Sequence, residues 1–155
     1  MWGYGILLTA HIISAAVLFG TGLGIAYFMA MAWWARDVQS LAVTLRHVVI
    51  ADFLFTASAV VAQPLTGIGL IVAGGHDPWP SWLIGTYVLY ALAGGCWLPV
   101  VWIQIRLARM ARAAAEQGTP LPAVASRLFR WWALLGIPAF IAVLAIYLLM
   151  VFKFD

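Results

Sequence analysis

The sequence predicts an all-α membrane protein, a bundle of four transmembrane helices that run up, down, up and down. Hydrophobic residues make up 66% of the 155 residues and charged residues only 8%, which is far from the composition of a soluble domain. Four apolar segments reach the roughly 20 residues that a helix needs to cross about 30 Å of hydrocarbon. All four are expected to be helical, because lipid offers no hydrogen-bond partners to an open backbone.

The predicted spans cover about residues 5–34, 48–73, 82–105 and 131–152. The first follows no basic segment, which favours a retained span over a cleaved signal peptide. The second ends at a turn rich in glycine and proline, residues 74–81. The third is expected to continue as a helix beyond the membrane until Gly118, because arginines recur at helical spacing over residues 106–112. Together the spans form one predicted domain over residues 1–155.

The distribution of basic residues predicts how the chain is oriented. Seven of the eight lie in two polar gaps, residues 35–46 and 105–130. Cytoplasmic loops carry an excess of arginine and lysine, so both gaps are expected in the cytoplasm. The turn at 74–81 has no basic residue and is expected on the other side. Four spans then place both termini in the periplasm, with the protein in a bacterial inner membrane.

Three polar side chains within the spans need an explanation: His11, Asp52 and Gln63. Ionisable groups inside a membrane are costly and usually face protein or a cavity. A neutral imidazole in a helical bundle is the usual protein ligand of b-type haem iron. His11 is therefore the candidate ligand of a haem b, and the alternative is a histidine that is hydrogen-bonded to a neighbouring helix.

Helix rise predicts which residues lie at the depth of His11. They are Thr66 and Gly67 in the second span, Leu89 and Tyr90 in the third, and Ile146 and Tyr147 in the fourth. None of them is a histidine, and His47 lies at the far end of its span. We expect Tyr90, Tyr147 and Met150 to line the haem pocket, with Met150, a tyrosine, water or the same histidine of a second protomer as the sixth ligand.

Asp52 is a second candidate, as a proton acceptor fed from the cytoplasm. Arg46, His47 and Asp52 fall within two helical turns, so the two basic residues could tune the charge of the carboxylate. Asp52 and Gln63 are spaced to share one helical face, which predicts a polar proton path along that face. The alternative is a buried carboxylate that is hydrogen-bonded to another helix.

Several functional classes lack the residues that they require. The arginines border the membrane rather than a soluble face, which argues against nucleic acid as a partner. Cys96 is the only cysteine, so a disulfide framework and a thiolate metal cluster are both excluded. No phosphate loop, nucleophile elbow or metal-pair helix motif occurs, so hydrolases and nucleotide-driven pumps are not favoured.

Five segments carry a resemblance to a known family. They are residues 8–22 around His11, Arg46 to Asp52, Gln63 to Gly67, Trp97 to Trp102 and Leu149 to Lys153. Over nearly the whole chain they resemble the predicted integral membrane proteins of domain of unknown function family 2269, which implies a multi-pass membrane protein and no particular activity. More distantly, His11 and the helix layout are similar to membrane protoporphyrinogen oxidase and to copper-resistance membrane proteins.

The leading hypothesis is a small membrane protein that binds haem or porphyrin through His11 and serves electron transfer or cofactor handling. One alternative is an accessory or scaffold subunit of a larger membrane complex, which packs through the small residues of the first and third spans. These are Gly20, Gly22, Gly24, Ala93, Gly94 and Gly95. The other is a proton-coupled carrier around Asp52 and Gln63, acting as a homo-oligomer because four helices enclose little volume.

Overall fold

The structure, a computed structural model, describes residues 2–154 and consists of four long helices. They are α1 (Trp2–Ala35), α2 (Val38–Gly74), α3 (Ser81–Gln117) and α4 (Ala123–Phe152). All four are long and apolar enough to cross a membrane, and no strand occurs among residues 2–154. The predicted fold, a four-helix membrane bundle, is confirmed, and each predicted span lies within one helix.

The polar gaps predicted from the arginines are largely helical. The connections at this end of the bundle shrink to residues 36–37 and 118–122, and we call it the arginine-rich end. At the start of α2, Leu41 and Leu45 are buried whereas Arg46 is exposed. The first turns of α2, which the sequence predicted as a polar gap, are therefore amphipathic. Their apolar face packs against protein, and their basic face is exposed. The other end carries the turn at 75–80 and is called the opposite end.

A left-handed backbone position follows each of the four helices, and after α4 it is Lys153, with φ 48°. Gly75 and Gly118 both have φ 63°, a conformation that costs glycine nothing because it has no Cβ. The backbone N–H of Thr119 then bonds to the carbonyl of Ala114 at 3.0 Å, which satisfies the last turn of α3. The predicted end of α3 at Gly118 is thus confirmed. Arg36 also has positive φ, 56°, and makes the sharp turn into α2.

The buried core lies toward the arginine-rich end, not at the middle of the predicted spans. Its members come from all four helices: Ile25, Met29, Ala32, Leu41, Leu45, Val48, Val100, Ile103, Leu107, Ala111, Ala125 and Trp132. Met29, Leu45 and Leu107 are completely buried. Leu45 and Leu107 lie in segments that were predicted as polar gaps. Their basic neighbours dominate the composition of these segments and conceal the apolar face of the helix.

The helices pack in pairs. α1 packs along α2, α3 packs along α4, and the first part of α2, Val38–Ala51, joins the pairs by packing on α3. Beyond Thr56, α2 follows α1 rather than α3 or α4. The two hairpins therefore pack most closely at the arginine-rich end. Beyond Thr56 they share fewer contacts, such as the hydrogen bond from the Tyr90 hydroxyl to the Val60 carbonyl.

Glycines divide into two groups in this structure. Gly67 and Gly69 of α2 lie against His11 and Leu7 of α1, so they allow close approach of these helices. By contrast, a side chain at Gly20, Gly24 or Gly94 would meet no atom within 4 Å among residues 2–154. These glycines do not mediate packing within one chain, and their predicted role in oligomers or larger complexes stays a prediction.

Candidate functional site

A buried carboxylate lies at the junction of the two hairpins. Asp52 is 3% exposed and accepts a hydrogen bond at Oδ1 from the indole Nε1 of Trp97, at 3.2 Å. Gln104 donates from its side-chain nitrogen to Oδ2, also at 3.2 Å. Both donors stand on α3, so this carboxylate connects the second helix to the third by polar contacts inside an apolar bundle.

Gln104 extends the network to the fourth helix. Its amide is 2% exposed, and its orientation is assigned from its partners. With the nitrogen toward Asp52, the side-chain oxygen accepts a hydrogen bond from Trp132 Nε1 at 3.2 Å. Asp52, Gln104 and the indoles of Trp97 and Trp132 thus form one chain of hydrogen bonds across α2, α3 and α4.

The backbone of α2 widens into a π turn, Asp52–Thr56, at the same position. The N–H of Ala57 reaches back five residues to the carbonyl of Asp52, where an α-helix would reach back four. Single π turns inside α-helices occur often at functional sites. Thr56, at the end of this turn, is 5% exposed, and its hydroxyl has no hydrogen-bond partner among residues 2–154.

No cation within residues 2–154 forms an ion pair with this carboxylate. Within residues 2–154 the one ion pair joins Arg112 to Glu116, and the hydrogen-bond donors to Asp52 are neutral groups. Arg46 and His47, which the sequence suggested as tuning residues, are both exposed. Burying an ionised carboxylate without a counter-charge costs several kcal/mol, and binding a proton removes that cost.

The predicted polar face that joins Asp52 to Gln63 does not form. Gln63 turns toward α1, where its Nε2 donates to the carbonyl of His11 at 2.8 Å and to the hydroxyl of Ser14 at 2.5 Å. Eleven residues of α-helix would return to nearly the same face, but the π turn adds a residue between the two positions. Asp52 therefore faces α3 and Gln63 faces α1.

His11 belongs to a second polar cluster, between α1 and α2. Its Nδ1 lies 2.8 Å from the hydroxyl oxygen of Thr66, and that hydroxyl donates to the carbonyl of Ala62 at 2.6 Å. With the one hydroxyl proton directed to Ala62, His11 Nδ1 is assigned as the donor to Thr66, and Nε2 then carries the lone pair. The sequence-based expectation that Thr66 and Gly67 lie at the depth of His11 agrees with these contacts.

The other residues predicted to line a haem pocket make different contacts. The Tyr90 hydroxyl donates to the backbone carbonyl of Val60, and Tyr147 packs edge-on against Phe19, with ring centroids 5.7 Å apart. Met150 is half-buried. No cluster of three or more histidine, cysteine, aspartate or glutamate side chains that could hold a metal occurs among residues 2–154. A haem at His11 stays a prediction.

Sequence reasoning missed Gln104, Thr56 and the two indole donors. Gln104 falls one residue before the end of the predicted third span, where an amide is expected at the membrane interface. The available signal was that an uncharged polar side chain in an apolar segment needs a partner, as Asp52 does. Trp97 and Trp132 gave no signal of their own, because tryptophan is common both in lipid contact and at membrane borders.

A comparison with known proteins agrees with this architecture. A family model with the description "Predicted integral membrane protein (DUF2269)" matches residues 5–154. No curated protein and no solved structure matches the chain.

Proposed function

We propose that this chain, which belongs to the DUF2269 family of predicted integral membrane proteins, binds and releases a proton at Asp52 and is the proton-coupled part of a small membrane carrier. The observation that carries this proposal is a carboxylate that is 3% exposed within a membrane-spanning helix and whose hydrogen-bond donors among residues 2–154 are neutral. Intramembrane carboxylates are rare and mark proton relays and ion pathways.

The surroundings of Asp52 suit both protonation states. In the ionised state, both oxygens accept hydrogen bonds, from Trp97 and Gln104. In the neutral state, the carboxylic acid has one O–H to donate. The hydroxyl of Thr56, which has no hydrogen-bond partner in the range 2–154, stands four residues further along the π turn and can accept this hydrogen bond. This network therefore offers a partner for the proton that arrives.

The position of Asp52 connects this proton to the helix arrangement. The π turn lies where α2 leaves α3 and continues along α1. A change of charge on Asp52 alters the bonds that hold the two hairpins together on α3, whereas the His11 cluster holds α1 to α2 independently. Protonation would thus act on the separation of the hairpins, which is the movement that a carrier requires.

Proton binding is tested by infrared spectroscopy on the reconstituted protein. We expect a carbonyl band of a buried carboxylic acid that changes between acidic and alkaline buffer, and that disappears in Asp52→Asn. In liposomes with an internal pH dye, this variant should also lose proton uptake driven by a potassium diffusion potential. Asp77→Asn is the matched control, because Asp77 is an exposed carboxylate in the turn at the opposite end. An unchanged band in Asp52→Asn, or equal uptake in both variants, would refute the proposal.

A second candidate function, haem or porphyrin binding for electron transfer, rests on the free Nε2 of His11. Metal-bound histidines commonly donate their other ring nitrogen to an oxygen of the protein, as His11 Nδ1 does to Thr66. When bound, haem would supply one-electron redox chemistry, and His11 would hold its iron. We expect a Soret band in protein purified with ample haem and its loss in His11→Ala. His76→Ala, in the exposed turn, is the control, and a featureless wild-type spectrum would exclude this function.

A further inference from the structure

A groove with a basic face lies on α3, where the helix leaves its apolar segment. Its volume is about 470 Å³, and it is lined by Trp102, Arg106, Arg109, Met110 and Ala113. The guanidinium carbon of Arg106 stands 5.0 Å from the centre of the Trp102 ring, a cation–π arrangement. This contact holds one arginine over the face of the indole, and its N–H groups can still bind a ligand.

Neither arginine of this groove has an acidic partner in the part of the chain that the structure describes, residues 2–154. Glu116 is bound to Arg112 at 2.8 Å, and no other ion pair occurs among residues 2–154. Arg106 and Arg109 are exposed and three residues apart, so they stand on one face of the helix and repel each other. An anion between them would offset this repulsion, and guanidinium groups match the oxygens of a phosphate in pairs.

The position of the groove along the membrane normal favours a lipid over a soluble anion. α3 has 37 residues and is about 55 Å long, whereas the hydrocarbon core is about 30 Å thick. Trp102 stands near the end of the apolar segment and is exposed, as tryptophans are at the level of lipid headgroups. Met110 and Ala113 give the groove an apolar side. Basic side chains here meet the phosphates of one leaflet.

We propose that Trp102, Arg106 and Arg109 form a binding site for the phosphate of an anionic phospholipid. The arginines bind the phosphate oxygens, and the indole packs against the glycerol backbone. This site is separate from Asp52 and from His11, and it does not depend on the proposed proton chemistry.

Native mass spectrometry of the purified protein, with phosphatidylglycerol and phosphatidylcholine added in turn, tests this proposal. We expect preferential retention of phosphatidylglycerol, and a loss of affinity of about fivefold for each arginine changed in Arg106→Gln and Arg109→Gln. Arg112→Gln is the matched control, because it removes a charge from the same helix that Glu116 already neutralises. Circular dichroism establishes that each variant keeps its helices.

Three results would overturn the proposal. The first is wild-type lipid affinity in the Arg106→Gln and Arg109→Gln double variant. The second is an equal loss in Arg112→Gln, which would indicate a general effect of charge rather than a site. The third is displacement of the lipid by inorganic phosphate at equal concentration, which would assign the groove to a free anion instead of a phospholipid.

Discussion

Trp97 donates its indole N–H to the carboxylate of Asp52 across 3.2 Å, from the middle of the third helix to the π turn of the second. This bond and its neighbour from Gln104 are side-chain hydrogen bonds between the two hairpins, near the point beyond which these share fewer contacts. Removing either donor would leave an oxygen of Asp52 buried without a hydrogen bond, which lowers the free energy of unfolding.

Trp97→Phe should destabilise the protein by about 1–3 kcal/mol, because it removes a donor to a buried carboxylate and shortens the ring. Trp131→Phe makes the same change of side chain at a position that is 54% exposed, and it should have little effect. Thermal unfolding in detergent, followed by circular dichroism, measures both. Equal shifts of the midpoint would show that the bond to Asp52 does not stabilise the fold.

The π turn makes an unusual prediction about deletions. Leu54 lies within the turn and is 60% exposed, and Leu65 lies beyond it and is 65% exposed. Removing Leu54 should convert the π turn into regular α-helix. The helical segments before and after it should then keep their rotation relative to each other. Removing Leu65 should rotate Thr66 and Gly67 by about 100° away from His11. Size-exclusion profiles and helix content should therefore be near wild type for the first deletion and poor for the second. The reverse order would contradict this account of the π turn.

Thr66→Val should weaken the pairing of α1 with α2, since valine keeps the shape of threonine but cannot accept from His11 Nδ1. Hydrogen bonds between membrane helices average about 0.6 kcal/mol and reach about 1.7 kcal/mol, so a small loss is expected in unfolding by detergent. Thr9→Val is the control, because Thr9 bonds only within its own helix, to Gly5. Nitrogen NMR of labelled histidine should also show the Nδ1–H tautomer of His11 in the wild type and its loss in Thr66→Val. The same tautomer in both proteins would refute the assignment.

The cap of α2 should make stability depend on pH in the acidic range. A hydrogen bond from the Ser40 hydroxyl, together with the backbone N–H groups of Ser40 and Gln39, holds the pKa of Asp37 below its ordinary value of 3.8. The folded state therefore binds this proton more weakly than the unfolded state. The stabilisation is complete above the ordinary pKa and is lost as the pH falls through the lowered folded value.

Asp37→Asn separates this effect from that of other carboxylates. Asparagine is also a good N-cap, so the variant should keep most of the unfolding temperature at neutral pH. As the pH falls, its unfolding temperature should decrease less than that of the wild type. Unfolding temperatures measured across the acidic range in parallel would show this difference. Identical curves for the two proteins would mean that the charge of Asp37 makes no contribution.

The sequence by itself determined the number of helices, the apolar segments and the order along the chain. Length and composition are enough for this, because a membrane requires about 20 apolar residues per crossing and a closed backbone. It also determined the end of α3 at Gly118, where a left-handed residue is needed, and the level at which His11 meets Thr66, since helix rise is constant.

Only the tertiary structure decided which side chains face each other. A helix in lipid is apolar on every side, so the pattern that marks the buried face of a soluble helix is absent from the spans. The single added residue of the π turn then separated Asp52 from Gln63, and it assigned the carboxylate to Trp97 and Gln104. Rotation about a helix axis is set by packing against neighbours, and neither hydropathy nor spacing contains that information.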